Sequence, residues 1–170
     1  MKIANFEIPD EICINNKKLC LNGAAMRSKF FINTYIIALY CEKPIQNEED
    51  AIHSSIPRCL RMIITTPLAT PSAVSQNIGN GLKDSMSSSD YKKIQPLLEN
   101  IKEIIEKTNT GYKDTIDNFY DSDKTFYYYK NDSLLGKTDV EGQILAEAIF
   151  DLYLGKKPKD PKIKKTLLGK

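Results

Sequence analysis

Leu21-Asn22-Gly23-Ala24-Ala25-Met26-Arg27-Ser28-Lys29-Phe30-Phe31-Ile32-Asn33-Thr34-Tyr35-Ile36-Ile37-Ala38-Leu39-Tyr40 is the stretch on which the reading of this chain turns. Asn22-Gly23 is a turn signal, because glycine takes the positive φ that tight turns need. Beyond it the basic Arg27 and Lys29 lead into β-branched and aromatic residues, the composition of a buried strand running from Lys29 to Tyr40. Arg27 therefore borders the most apolar part of the molecule, and a guanidinium held there needs a partner.

Working outward, Asn5 to Ile14 and Lys17 to Leu21 read as short strands separated by an Asn15-Asn16 turn. Pro44 and Glu48-Glu49-Asp50 mark a surface excursion into a short helix. Arg58 to Ile64 reads as a strand between Pro57 and Pro67. Thr70-Pro71 is a helix start, a capping hydroxyl followed by proline at the first helical position. Val74, Ile78, Leu82 and Met86 then form one apolar stripe. Gly79 and Gly81 weaken this helix by about 1 kcal/mol each relative to alanine, which calls for close packing or a ligand near the backbone. Ser87 to Asp90 is a turn-and-cap cluster. Ile94 to Ile105 keeps helical periodicity, with Pro96 expected in the first turn of the main segment. Asp117 to Lys137 reads as strand–turn–strand about Asn131-Asp132, and Asp139 to Gly142 as a connection. A helix follows from Ile144 to Gly155, and Asp160-Pro161 caps a last short one. This order argues for an α+β fold rather than alternating βαβ units.

The chain has 170 residues, a single domain's length, with a net charge of +2 that is too small to imply a polyanionic partner. Cys13, Cys20, Cys41 and Cys59 show no metal-ligand or framework spacing, and His53 is the single histidine, so no metal or cofactor is expected. Cys13 and Cys20 sit in apolar strand contexts and are expected as buried free thiols. The lysine-rich end from Lys156 to Lys165 carries no interleaved aromatics. That argues against nucleic acid and leaves a solubilising role or an anionic membrane surface. As written, Met1-Lys2 begins no apolar leader, which places the chain in the cytoplasm.

Asn22 to Phe31 together with Tyr35 to Tyr40, and Phe150-Asp151-Leu152-Tyr153-Leu154-Gly155 followed by Pro158 and Leu167-Leu168-Gly169, resemble the two ends of bacterial chalcone isomerase-like domains. The resemblance spans nearly the whole chain. It implies the chalcone isomerase fold, an open-faced β-sandwich whose antiparallel sheet carries helices on one face; the chain is expected to be a monomer. Members of that family are often secreted, and a trimmed leader would place this chain in the periplasm or outside the cell. In the family's fatty-acid-binding branch an arginine and a tyrosine hold the ligand carboxylate. The resemblance assigns these to Arg27 and Tyr35, with Tyr40 as the competing tyrosine. In the isomerase branch the polar set maps onto Arg27, Tyr35, a helix position near Ala73, Asn80 and Leu152. Two of those positions are apolar here, and no catalytic residue is assigned.

Three readings follow: a binder of an apolar carboxylate such as a fatty acid, an intramolecular lyase of the chalcone isomerase type, or a structural domain without ligand. In the last, Arg27 would pair with a carboxylate of the protein itself. One geometric condition bears on the first. In a straight strand, eight residues at about 3.3 Å would part Arg27 from Tyr35 by roughly 26 Å. Both can reach one carboxylate only if the chain turns back within Ser28 to Asn33.

Overall fold

The computed structural model describes residues 1–139 and 141–170; Val140, inside the connection expected at 139–142, lies outside the described residues. A two-stranded ribbon, β1 (Lys2–Ile3) and β2 (Phe6–Glu7), opens the chain. Then come β3 (Glu11–Ile14), β4 (Lys17–Lys29), β5 (Ile32–Cys41), helix α1 (Glu48–His53) and β6 (Arg58–Ile64). Helices α2 (Pro71–Ser85) and α3 (Ser88–Lys107) precede β7 (Thr115–Tyr120), β8 (Phe126–Lys130) and β9 (Ser133–Thr138). Helices α4 (Gly142–Leu154) and α5 (Pro161–Leu167) end the chain. Strands β3 to β9 form one antiparallel sheet in sequence order. The α+β class and the sheet with its helical layer are as the resemblance implies.

Period-two alternation sorts the strands between two cores. Along β5, Tyr35, Ile37, Leu39 and Cys41 join the core under the helices, while Ile36, Ala38 and Tyr40 join the core on the opposite face. The second core is built from β3, β4 and the N-terminal segment, with Ile8, Ile12, Ile14 and Leu19 buried. The same alternation corrects one expectation. Ile12 and Ile14 take the inward positions of β3, so Cys13 points outward, and Cys20 is exposed as well. Cys41 and Cys59 are the buried thiols, and all four are unbridged.

The turn falls elsewhere than at Asn22-Gly23. That pair lies inside β4, at a register shift between Leu21 and Gly23. Asn22 clamps two distant segments there: its amide nitrogen donates to the carbonyls of Ile45 (2.8 Å) and Leu167 (2.7 Å), and its oxygen accepts from the Ile45 amide. Gly23 answers to contact rather than to a turn, since a Cβ would stand 2.0 Å from the Thr166 carbonyl oxygen at the end of α5. Gly23→Ala should therefore destabilise the fold by about 1–3 kcal/mol as overpacking does, measurable by urea denaturation.

The chain reverses instead at Phe30-Phe31, with φ of 50° and 63°. Two consecutive left-handed residues make the hairpin turn whose twist suits paired strands, a turn normally occupied by Asn-Gly or Asp-Gly. For phenylalanine each such position costs roughly 1–2 kcal/mol. Both rings stand in solvent, Phe31 completely and Phe30 at 83 %.

Pro96 lies inside α3, not in its first turn, because Ser87 caps a single helix nine residues earlier. Its ring is on the exposed face, where the carbonyl it leaves unbonded can take water. Between Asp117 and Lys137 there are two hairpins rather than one, since β7 turns back at 121–125 before the Asn131-Asp132 turn. A Cβ at Gly81 would press on Leu152, and Gly81 also lines the cavity described below, whereas a Cβ at Gly79 would meet only the flexible end of Lys102.

Arg58 is fully buried and has no carboxylate partner among the described residues. Its guanidinium donates to the carbonyls of Ala51 (2.6 Å), Ile52 (2.6 Å), Ser54 (2.7 Å) and Ile56 (3.0 Å). These include the C-terminal carbonyls that α1 cannot satisfy itself. The cation is stacked between Tyr120 and Phe150, 4.9 and 4.7 Å from their ring centres. On the opposite face Arg61 forms a two-bonded pair with Asp117, both bonds 2.7 Å.

Candidate functional site

The reversal at Phe30-Phe31 makes Arg27 and Tyr35 directly paired residues of β4 and β5. Cross-strand partners lie about 4.5–5.5 Å apart, so the separation of a straight strand does not arise. Both face the helical layer and line a cavity of about 570 Å³ between the ends of β4, β5 and β6 and helix α2. Met62, Ile64, Val74 and Ile78 make its apolar walls, and Phe30, Ile32 and Leu68 are its exposed rim.

Polar groups gather beside Arg27. The Tyr35 hydroxyl lies 3.2 Å from the Tyr153 hydroxyl, brought there by α4, and the two rings meet edge to face. Lys159, in the segment between α4 and α5, donates to the Asn77 side-chain oxygen at 2.9 Å. Arg27 reaches the Lys159 carbonyl at 3.5 Å, a long contact, and forms no ion pair among the described residues. The chain has three arginines. Arg58 and Arg61 are held by several short bonds from the protein itself, whereas Arg27 has only the long contact to Lys159. No carboxylate among the described residues lies within ion-pair distance of Arg27, as a purely structural Arg27 would need. Asp84 also lines the cavity, but it makes no ion pair with Arg27 or Lys159 among the described residues.

Burial raises the Tyr35 phenol above the ordinary tyrosine range, partly offset by the hydrogen bond from Tyr153 and the charge of Arg27. Burial also raises Tyr153 well above that range. Both stay protonated at neutral pH and can donate. Lys159 is pushed down to about 8, first by burial and then by the charges of Arg27 and Lys29. The arrangement places guanidinium, ammonium and phenol donors together at an apolar cavity, a chemistry suited to an anion. No group of three metal-ligating side chains occurs among the described residues.

The lowered Lys159 pKa gives a prediction. Between about 8 and the unfolded value near 10.5, the unfolded chain holds a proton at Lys159 that the folded one has lost. Stability of the empty protein should therefore rise with pH through that window. Lys159→Met should abolish that part of the rise, as read by urea midpoints at pH 7.5 and 9.5.

Of the residues expected from sequence, Arg27, Tyr35 and Asn80 line the cavity. Asn80 is exposed, and Asn77, one turn earlier, is the asparagine engaged with Lys159. Tyr40 is not brought to the cavity. It faces the opposite core, its hydroxyl donates to the Pro9 carbonyl at 2.8 Å, and Arg61 lies 5.8 Å from its ring centre. Tyr153 and Lys159 are not among the expected residues. Tyr153 sits in a helical stripe that reads as core, and Lys159 in a run of lysines that reads as a solvated tail. The adjacent Leu152 packs toward Gly81 instead.

The curled antiparallel sheet with its helical layer defines an α+β fold of the chalcone isomerase-like class. The family model for chalcone isomerase-like proteins matches residues 1–169, and the chain belongs to that family. Among solved structures it is similar to the crystal structure of the Arabidopsis thaliana fatty-acid binding protein AtFAP1. The TM-score is 0.72 at 19% identity, over 96% of this chain and 91% of that one, a likeness of fold. Among curated proteins no sequence match is found.

Proposed function

We propose that the protein binds a hydrophobic carboxylate such as a fatty acid, with the carboxylate at Arg27 and Tyr35 and the chain along the apolar walls of the cavity. The observation that carries this is Arg27: it is a half-buried cation facing an apolar cavity, without a carboxylate of its own. Tyr153 supports the Tyr35 hydroxyl, and Lys159 adds a second positive charge. The volume falls within the range of about 300–1,000 Å³ usual for small-molecule sites. Each methylene buried would contribute about 0.8 kcal/mol, while the charged end sets orientation. The likeness to a fatty-acid binding protein supports the same reading. Two positions of the isomerase set speak against that alternative: Ala73 in the lining presents only a methyl group, and Leu152, packed toward Gly81, cannot donate to an enolate.

Lipid extracted from gently purified protein and identified by mass spectrometry is the direct test. A fatty acid at near-stoichiometric amount is expected. Absence of any bound lipid, together with no heat on titrating the delipidated protein with palmitate, would remove the proposal.

A further inference from the structure

One end of the sheet carries an apolar surface that the binding cavity does not explain. The β4–β5 turn, the loop after β6 and the loop before β7 lie together there, joined by Thr65 N–H to Thr34 carbonyl (3.1 Å) and Lys113 N–H to Ile64 carbonyl (2.9 Å). Eight large hydrophobic residues are exposed among the described residues, and five of them sit at this end: Phe30, Phe31, Ile32, Leu68 and Tyr112. Phe31 is fully in solvent and is absent from the cavity lining. The two phenylalanines also occupy left-handed positions that asparagine and glycine would hold without strain. Neither packing nor turn chemistry accounts for them.

The charges around this tip are cationic. Lys29 lies 5.5 Å over the Phe30 ring and Lys113 5.3 Å over the Tyr112 ring, and neither has an ion-pair partner among the described residues. Of the carboxylates nearby, Asp114 is engaged with Lys130 and Asn131 and Asp132 with Arg61, while Asp84 lies on the α2 side of the cavity. An apolar wedge with lysines at its shoulders is complementary to an anionic bilayer surface, where rings enter the headgroup boundary and ammonium groups meet phosphates. No helix among the described residues is long and apolar enough to cross a membrane, so such contact would be peripheral. The C-terminal lysines are a poorer candidate: Lys164 pairs with Glu48, Lys159 turns into the cavity, and Lys156 and Lys157 border a hollow shared with Glu48, Glu49 and Asp151.

We propose that the Phe30-Phe31 hairpin tip, with Ile32, Leu68, Lys29 and Lys113, docks the protein on anionic lipid bilayers. Phe30, Ile32 and Leu68 belong at once to this tip and to the cavity rim, so docking would set the opening against the lipid. The cargo that passes there rests on the fatty-acid reading above; the docking does not.

The test uses vesicles of equimolar phosphatidylcholine and phosphatidylglycerol. The wild type should co-sediment with them, more weakly without the anionic lipid and at high salt. Phe31→Gly should lower vesicle affinity about tenfold or more, while keeping or raising the melting temperature. The chain has no tryptophan, so Phe31→Trp gives a single reporter whose emission should shift blue and be quenched by brominated acyl chains. A wild type that stays in the supernatant, an unaffected Phe31→Gly variant, or an indole that remains water-exposed would each overturn the proposal. So would sedimentation velocity showing a dimer that Phe31→Gly abolishes, since the tip would then serve a second copy. Palmitate titration without vesicles separates the two ideas: Phe31→Gly should bind it as the wild type does. Vesicle binding without palmitate binding would leave docking standing and remove the cargo.

Discussion

Arg27→Ala should weaken fatty-acid binding by about ten- to 150-fold while leaving the empty protein as stable as the wild type, or more so. The loss follows from removing a charge-assisted bond to an ionised carboxylate, which contributes about 1.5–3 kcal/mol. The stability side follows from the surroundings of Arg27, which hold Lys159 and Lys29 but no paired carboxylate. Removing one cation from such a group relieves repulsion, and the Lys159 pKa should move up from about 8 toward its ordinary value. Arg27→Lys should recover only part of the affinity, because an ammonium keeps the charge without the planar two-pronged donor. Palmitate titrations and thermal melts of delipidated proteins are sufficient. A stability loss of about 3–5 kcal/mol would mean that Arg27 serves a buried carboxylate of the protein after all, and unchanged palmitate affinity would remove it from the site.

The largest stability effect is expected at Arg58. Arg58→Met keeps much of the volume but strands the carbonyls of Ala51, Ile52, Ser54 and Ile56. It also removes the cation between the Tyr120 and Phe150 rings. Unsatisfied buried acceptors cost about 1–3 kcal/mol each, and some of these will find water as α1 frays. A net loss of about 3–5 kcal/mol is expected, a drop in melting temperature of about 6–20 °C for a chain of this size. Arg58→Lys should rescue little, since one ammonium cannot reach four carbonyls spread around a planar fork. A melting temperature within about 2 °C of wild type would show that α1 does not depend on this cap.

What the sequence reveals here follows the range of the interactions involved. Thr70, Ser87 and Asp160 announce their helices because a cap and the amides it serves lie within three residues. Asn15-Asn16 and Asn131-Asp132 announce hairpins for the same local reason, and both have positive φ. Asn22-Gly23 misleads because its glycine and amide answer to Thr166, Leu167 and Ile45, partners that only the finished fold brings near. Phe30-Phe31 carries no turn chemistry at all; the hairpin forms there against local preference because β4 and β5 pair along their length. Within the candidate site, Arg27 and Tyr35 are legible through family resemblance and their place beside apolar strands. Tyr153 and Lys159 are not, since a tyrosine in a buried stripe and a lysine in a basic run look alike whether or not they converge on a cavity.

The cation-ended cavity is also divided in time. Arg27 and Lys159 are 132 residues apart in the chain. At roughly 5–20 residues per second, ribosomal synthesis separates them by about 7–26 s. The first strands can emerge and pair while Tyr153 and Lys159 do not yet exist. A nascent chain thus carries Arg27 and its exposed aromatic tip before it carries the groups that complete the polar end. On the proposed fatty-acid reading, retention of a lipid anion would wait until α4 and the segment after it have emerged and docked on the first strands.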